Sequence, residues 1–127
     1  MKKTLITENA PKAIGPYVQG VNLNSMVITS GQLPINPDTK TMPESIDEQT
    51  LQSLNNALAI IKEAGLSASN IVKTTVFVKD LNDFSVVNKI YGDFFERHNA
   101  PYPARSCVEV ARLPMDAKIE IEVIAIR

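Results

Sequence analysis

Pro103-Ala-Arg-Ser-Cys-Val-Glu-Val110 and Ile119-Glu-Ile-Glu-Val-Ile-Ala-Ile126 alternate as strands do, yet their ionisable residues sit in unexpected places. A strand sends successive side chains to opposite faces. In the first run Ala104, Ser106, Val108 and Val110 share one face and Arg105, Cys107 and Glu109 the other. In the second, Ile119, Ile121, Val123 and Ala125 oppose Lys118, Glu120, Glu122, Ile124 and Ile126. One face is core. The other mixes Arg and Glu with Cys and Ile, a composition that suits a pocket wall or a subunit contact.

Upstream, Lys3 to Ile6 predicts a short edge strand. Asn9-Ala-Pro11 and Ile14-Gly-Pro16 then break regular structure and aim the chain into a strand that begins at Tyr17 and runs to Val21. Asn22-Leu-Asn-Ser25 reads as a hairpin turn, and Met26 to Leu33 as the next strand, apolar on both faces at its start. At Ser30-Gly31 the missing side chain of Gly31 would let backbone groups approach a ligand closely. Pro34 to Pro43 is a loop. Ser45-Ile-Asp-Glu48 has capping-box spacing, opening a helix to Ala64 with Leu51, Leu54, Leu58 and Ile61 on one stripe and Gly65 as its stop. Ile71 to Val78 is rich in β-branched residues and predicts a strand. Asn82 or Asp83 can cap a second helix carrying Phe84, Val87, Tyr91 and Phe94 on one stripe and ending near Asn99.

The element order is therefore ββαβαββ with an extra strand at the start. It predicts an α+β fold: one mixed β-sheet with two helices packed on one face, in a single domain over residues 1–127. At 127 residues such a chain buries about two-thirds of the surface it would expose unfolded. Two helices cover one sheet face only. The opposite face would hold residues such as Val72 or Phe77, with Cys107 and Ile124, too much apolar area to leave in water, so oligomerisation through that face is expected.

Composition narrows function. The formal net charge is −1 and the 13 Lys and Arg are dispersed, which argues against nucleic acid as a partner. Cys107 is the only cysteine and His98 the only histidine, so neither an intrachain disulfide nor a metal site is expected. No apolar run has the length of a membrane span, and a soluble, cytoplasmic protein is the simplest expectation. Phosphate loops, dinucleotide fingerprints and triad motifs are absent.

Arg105 is the side chain best suited to grip a carboxylate at two points. An ion pair with Glu120 or Glu122 at an interface stands equally open from spacing alone. Glu120 can serve as a general acid or base if its surroundings raise its pKa. Cys107 reads as a small buried hydrophobe or a contributor of backbone groups, and His98 as a helix C-terminal residue favoured by the dipole. Tyr17 and Asn88 carry no distinguishing signal of their own.

Five segments, Ile14 to Tyr17, Thr29 to Gln32, Lys73 to Asp80, Pro103 to Val110 and Ile119 to Glu122, together closely resemble the Rid family of reactive-intermediate (enamine/imine) deaminases. The resemblance implies a chorismate-mutase-like fold, assembled as a homotrimer with sites in the clefts between subunits. It implies hydrolytic deamination of 2-aminoacrylate/2-iminopropanoate and 2-aminocrotonate/2-iminobutanoate to 2-oxo acids and ammonia, without cofactor or metal. That activity would protect pyridoxal-phosphate enzymes from products released by pyridoxal-phosphate dehydratases. In this reading Arg105 binds the substrate carboxylate, Glu120 positions or activates water, and Tyr17 closes the pocket. Gly31 and Cys107 contribute main-chain groups, Ser30 flanks them, and Phe84 and Asn88 line the pocket. The alternative is a non-catalytic trimeric binder or sensor of small 2-oxo or 2-imino acids, distinguished by whether Glu120 matters. An RNA-directed role, attached to relatives of the family, gains nothing from the dispersed charge.

Overall fold

The computed structural model describes residues 2–127. Eight regular elements carry the fold. The strands are β1 (Lys3–Leu5), β2 (Gly20–Asn22), β3 (Met26–Thr29), β4 (Ile71–Val78), β5 (Ala104–Glu109) and β6 (Ile119–Ile126). The helices are α1 (Ile46–Glu63), between β3 and β4, and α2 (Phe84–Arg97), between β4 and β5. The strands form one six-stranded sheet in the order β1-β2-β3-β6-β4-β5. Only the β4–β5 pair is parallel, the arrangement that a helical crossover through α2 requires.

α1 begins where its sequence says it should. Ser45 is the N-cap: its hydroxyl oxygen accepts the Glu48 N–H at 3.4 Å, and the same hydroxyl donates to the Glu48 carboxylate at 2.8 Å. Past Ala64 the chain turns on Gly65, whose φ of 80° suits a residue without a side chain. α2 begins differently from expectation. Asp80 caps a single 3₁₀ turn ahead of it by accepting the Asn82 N–H, and Asp83, the residue at the α2 N-cap, makes no side-chain capping bond.

Both helices lie on one face of the sheet. Leu54, Leu58 and Ile61 of α1 and Val87, Tyr91 and Phe94 of α2 are buried against Val27, Val76, Val78, Ile119, Ile121, Val123 and Ala125. Gly20 permits the close approach of α1, since a Cβ there would stand 2.7 Å from Ile60 Cγ2.

The other face is open. Ile28, Val108 and Ile126 are each more than a third exposed on it, as is Val72 at the bulge in β4. Phe77 and Ile124 are half-buried beside them. Within one chain β3, apolar on both faces, is therefore covered on one side only.

Two boundaries differ from expectation. Tyr17 does not begin a strand, because its N–H turns back to the Gly15 carbonyl and pairing with β3 starts only at Gly20. β3 stops at Thr29 rather than Leu33. Beyond it the Ser30 N–H still reaches the Gln19 carbonyl, and Gln32 pairs with Ile121 of β6, the strand β3 already pairs with, but one residue out of step with that ladder, so the register slips at Ser30-Gly31.

Candidate active site

That slip of register builds the first half of the site. Gln32 and Ile121 exchange backbone hydrogen bonds at 2.8 and 3.2 Å, which sets Gly31 against Glu120. A Cβ on Gly31 would lie 2.8 Å from both Cδ and Oε2 of Glu120. The absent side chain thus makes room for the Glu120 carboxylate itself. Ser30 is held in place by its hydroxyl, which donates to the Val18 carbonyl at 2.6 Å. Tyr17 stands half exposed, its hydroxyl accepting the Ile14 N–H at 3.3 Å. Tyr17, Ser30, Gly31 and Glu120 all line one open groove of ≈ 1050 Å³. Glu120 is pushed above the ordinary carboxylate range, first by partial removal from water and then by the charge of Glu122 two residues along the same face.

The second half is built around Arg105 on the edge strand β5. Its side chain points to the helix side, where Nη1 donates to Asn88 Oδ1 at 2.8 Å. The guanidinium carbon lies 4.9 Å from the centre of the Tyr91 ring and 5.5 Å from that of Phe84, within cation–π range of both. Cys107 follows on the same side and packs on the core. Burial pushes its thiol above the usual range and Arg105 offsets this only in part, so it behaves as a small hydrophobe and not as a thiolate nucleophile.

These halves do not meet within one chain. β4 separates β5 from β6, with Thr74 opposite both Arg105 and Val123, whereas Phe77 is opposite Glu120. Thr74 and Val123 are buried on the helix side, and Arg105 goes with them. Glu120 goes with Phe77 to the open side. The mixed face expected of the two C-terminal strands therefore does not exist: Arg105 and Cys107 belong to one face of the sheet, Glu120, Glu122, Ile124 and Ile126 to the other. Cys107 is likewise not part of the open face. Within one chain Arg105 forms no ion pair with Glu120 or Glu122 and is bound to Asn88.

Two further residues support the site. Gln19 is buried behind Tyr17, its side chain accepting the Thr7 N–H at 2.7 Å and donating to the carbonyls of Thr7, Ala10 and Pro11, which pins the N-terminal wall of the groove. Its only trace in the sequence is a lone amide in an otherwise apolar run. Tyr91 is legible as a core position of α2, but nothing in its spacing shows that it meets Arg105. His98 caps α2, its Nδ1 2.8 Å from the Phe94 carbonyl oxygen, far from either half in role.

A fold of this kind with an arginine cradle and a desolvated glutamate suits binding and hydrolysis of a small carboxylate. The model of the family described as Endoribonuclease L-PSP matches residues 7–127. The chain belongs to that family. It is 65% identical over 127 residues to the 2-iminobutanoate/2-iminopropanoate deaminase of Escherichia coli strain K12, covering 100% of this chain and 99% of that protein. Among solved structures, the Escherichia coli YjgF gene product superposes with a TM-score of 0.98 at 64% identity, over 98% of each chain. Escherichia coli TdcF with bound serine gives a TM-score of 0.97 at 56% identity, also over 98% of each. The resemblance to Rid deaminases carried by five short segments thus extends along the whole chain. Among the described residues no helix is long and apolar enough to cross a membrane.

Proposed function

We propose that this protein is a deaminase of reactive enamine/imine intermediates, hydrolysing 2-iminopropanoate and 2-iminobutanoate to the 2-oxo acids and ammonia. The observation that carries this is the full-length 65% identity to an enzyme named for that reaction. The serine held by TdcF, a relative of the same fold, supports a small amino-acid-like ligand. The family's description as an endoribonuclease finds no counterpart in a chain of net charge −1 with its cations dispersed.

In this scheme the enamine first tautomerises to the imine. Arg105 grips its carboxylate with the N–H groups that Asn88 does not take, and Glu120, ionised, accepts a proton from water as that water attacks the imine carbon. Glu120 passes that proton to nitrogen to give the carbinolamine, then takes the hydroxyl proton and delivers it to the same nitrogen as the C–N bond breaks and the C=O bond forms, so that ammonia leaves the 2-oxo acid. Tyr17, Ser30, Gly31 and the backbone at Cys107 complete the pocket, lined by Phe84 and Asn88.

Because Arg105 and Glu120 lie on opposite sheet faces, this chemistry needs two copies: the groove of one chain receives the Arg105 edge of the next. The uncovered apolar face supplies a reason for copies to associate, and the chorismate-mutase-like homotrimer of the family accommodates sites shared in rotation. The reaction belongs in the cytoplasm beside the pyridoxal-phosphate dehydratases that release such imines.

The test is a serine or threonine dehydratase assay in which imine decay and ammonia release are followed with and without the protein. Acceleration is expected, and its loss in Arg105→Ala. Decay at the rate of the protein-free control refutes the deaminase.

A further inference from the structure

Arg105 is set by more than Asn88. Tyr91 is 5% exposed and Thr74 fully buried, and their hydroxyl oxygens are 2.7 Å apart. Thr74 is also the register partner of Arg105 across the β4–β5 ladder. One hydrogen bond therefore ties the ring beneath the guanidinium to the strand next to the arginine's own. Phe95 packs against the far part of the same ring, 4.9 Å between centroids. Phe84, the other aromatic near Arg105, is 39% exposed and has no hydroxyl with which to be tethered. The fixed surface against which the guanidinium rests is Tyr91.

We propose that Tyr91, oriented by Thr74, is a positioning residue that sets the Arg105 guanidinium for carboxylate binding. This rests on the assignment of Arg105 as the carboxylate grip. A planar fork binds a carboxylate at two points only when its plane and rotation are right, and an unsupported arginine must lose several rotatable bonds on binding. The Tyr91 face restricts the plane, and Asn88 occupies Nη1, leaving the remaining N–H groups for the ligand. Burial keeps the Tyr91 hydroxyl neutral at working pH, so it bears no charge that would compete with the ligand for Arg105.

The measurement is binding of 2-oxobutanoate, by calorimetry or NMR titration, to the intact protein and to Tyr91→Leu and Tyr91→Phe. Removing the ring is expected to raise Kd about tenfold. Removing only the hydroxyl, which keeps the ring but frees it from Thr74, should raise Kd about threefold. A purely structural tyrosine would reduce the fraction of folded sites and leave Kd unchanged in both variants, which overturns the proposal. Should Tyr91→Leu fail to fold, Tyr91→Phe decides alone: a raised Kd supports the proposal and an unchanged one overturns it. The result stands apart from catalysis. A wild-type protein that binds 2-oxobutanoate but does not deaminate imines refutes the deaminase and leaves the comparison of Kd values intact. A wild-type protein that binds no 2-oxobutanoate overturns both.

Discussion

Gly31 lies against the Glu120 carboxylate, an approach that can be tested one atom at a time. A methyl at position 31 meets the Glu120 carboxylate at 2.8 Å. The end of a glutamate moves at little cost, so Gly31→Ala should change stability little. The carboxylate must move, however, and kcat should fall by about 10- to 100-fold. Near-normal kcat would show that the carboxylate position is unimportant. The protonation of Glu120 offers a second test. Its pKa is raised by desolvation and by Glu122. A base must be ionised, so activity should fall as pH drops through that raised value. Glu122→Gln removes a neighbouring negative charge, makes ionisation of Glu120 easier, and should move the acid limb of the rate profile to lower pH. A shift upward, or none, would contradict the assignment of Glu120 as base. At this scale Arg105 was legible from residue chemistry, because a guanidinium on a strand needs a partner. Its actual partners, Asn88 and Tyr91, were not, since they lie on another element and only tertiary packing brings them together.

At the scale of elements, hydrophobic periodicity located both helices and the strands β4, β5 and β6. It failed where pairing is decided by side chains or by a slip of register. Tyr17 resembles the start of a strand by composition, but the segment before Gly20 is held by Gln19 and a turn at Gly15, neither of which periodicity registers. The face assignment of β5 failed for a related reason. Alternation gives two faces but does not say which one meets the helices, and Arg105 and Cys107 take the helix side beneath α2. One connection stores strain that composition does not announce. Before β6, Met115 and Asp116 both have left-handed backbone, with φ of 58° and 55°, and Asp116 is tied to Lys79 at 2.6 Å. Aspartate tolerates this conformation better than methionine does. Met115→Asn should stabilise the protein by about 1 kcal/mol in denaturant or thermal unfolding. Destabilisation would show that the methionine side chain, at the groove rim, contributes more by packing than its backbone costs.

For the whole molecule, the helix count predicts an uncovered apolar face, and the structure has one, with Ile28, Val108 and Ile126 exposed on it. Within one chain the groove holds Glu120 but not Arg105, and the helix side holds Arg105 but not Glu120. Sequence spacing could not reveal this division, because it depends on β4 lying between β5 and β6. If copies assemble in rotation, each complete site takes Arg105 from one chain and Glu120 from its neighbour. The most direct test mixes the two inactive variants, Arg105→Ala and Glu120→Ala, by unfolding and refolding them together in equal amounts. Random assortment around a ring of head-to-tail contacts leaves about one quarter of sites with both residues intact, so about one quarter of wild-type deaminase activity should return. A mixture no more active than either variant alone would contradict the shared site.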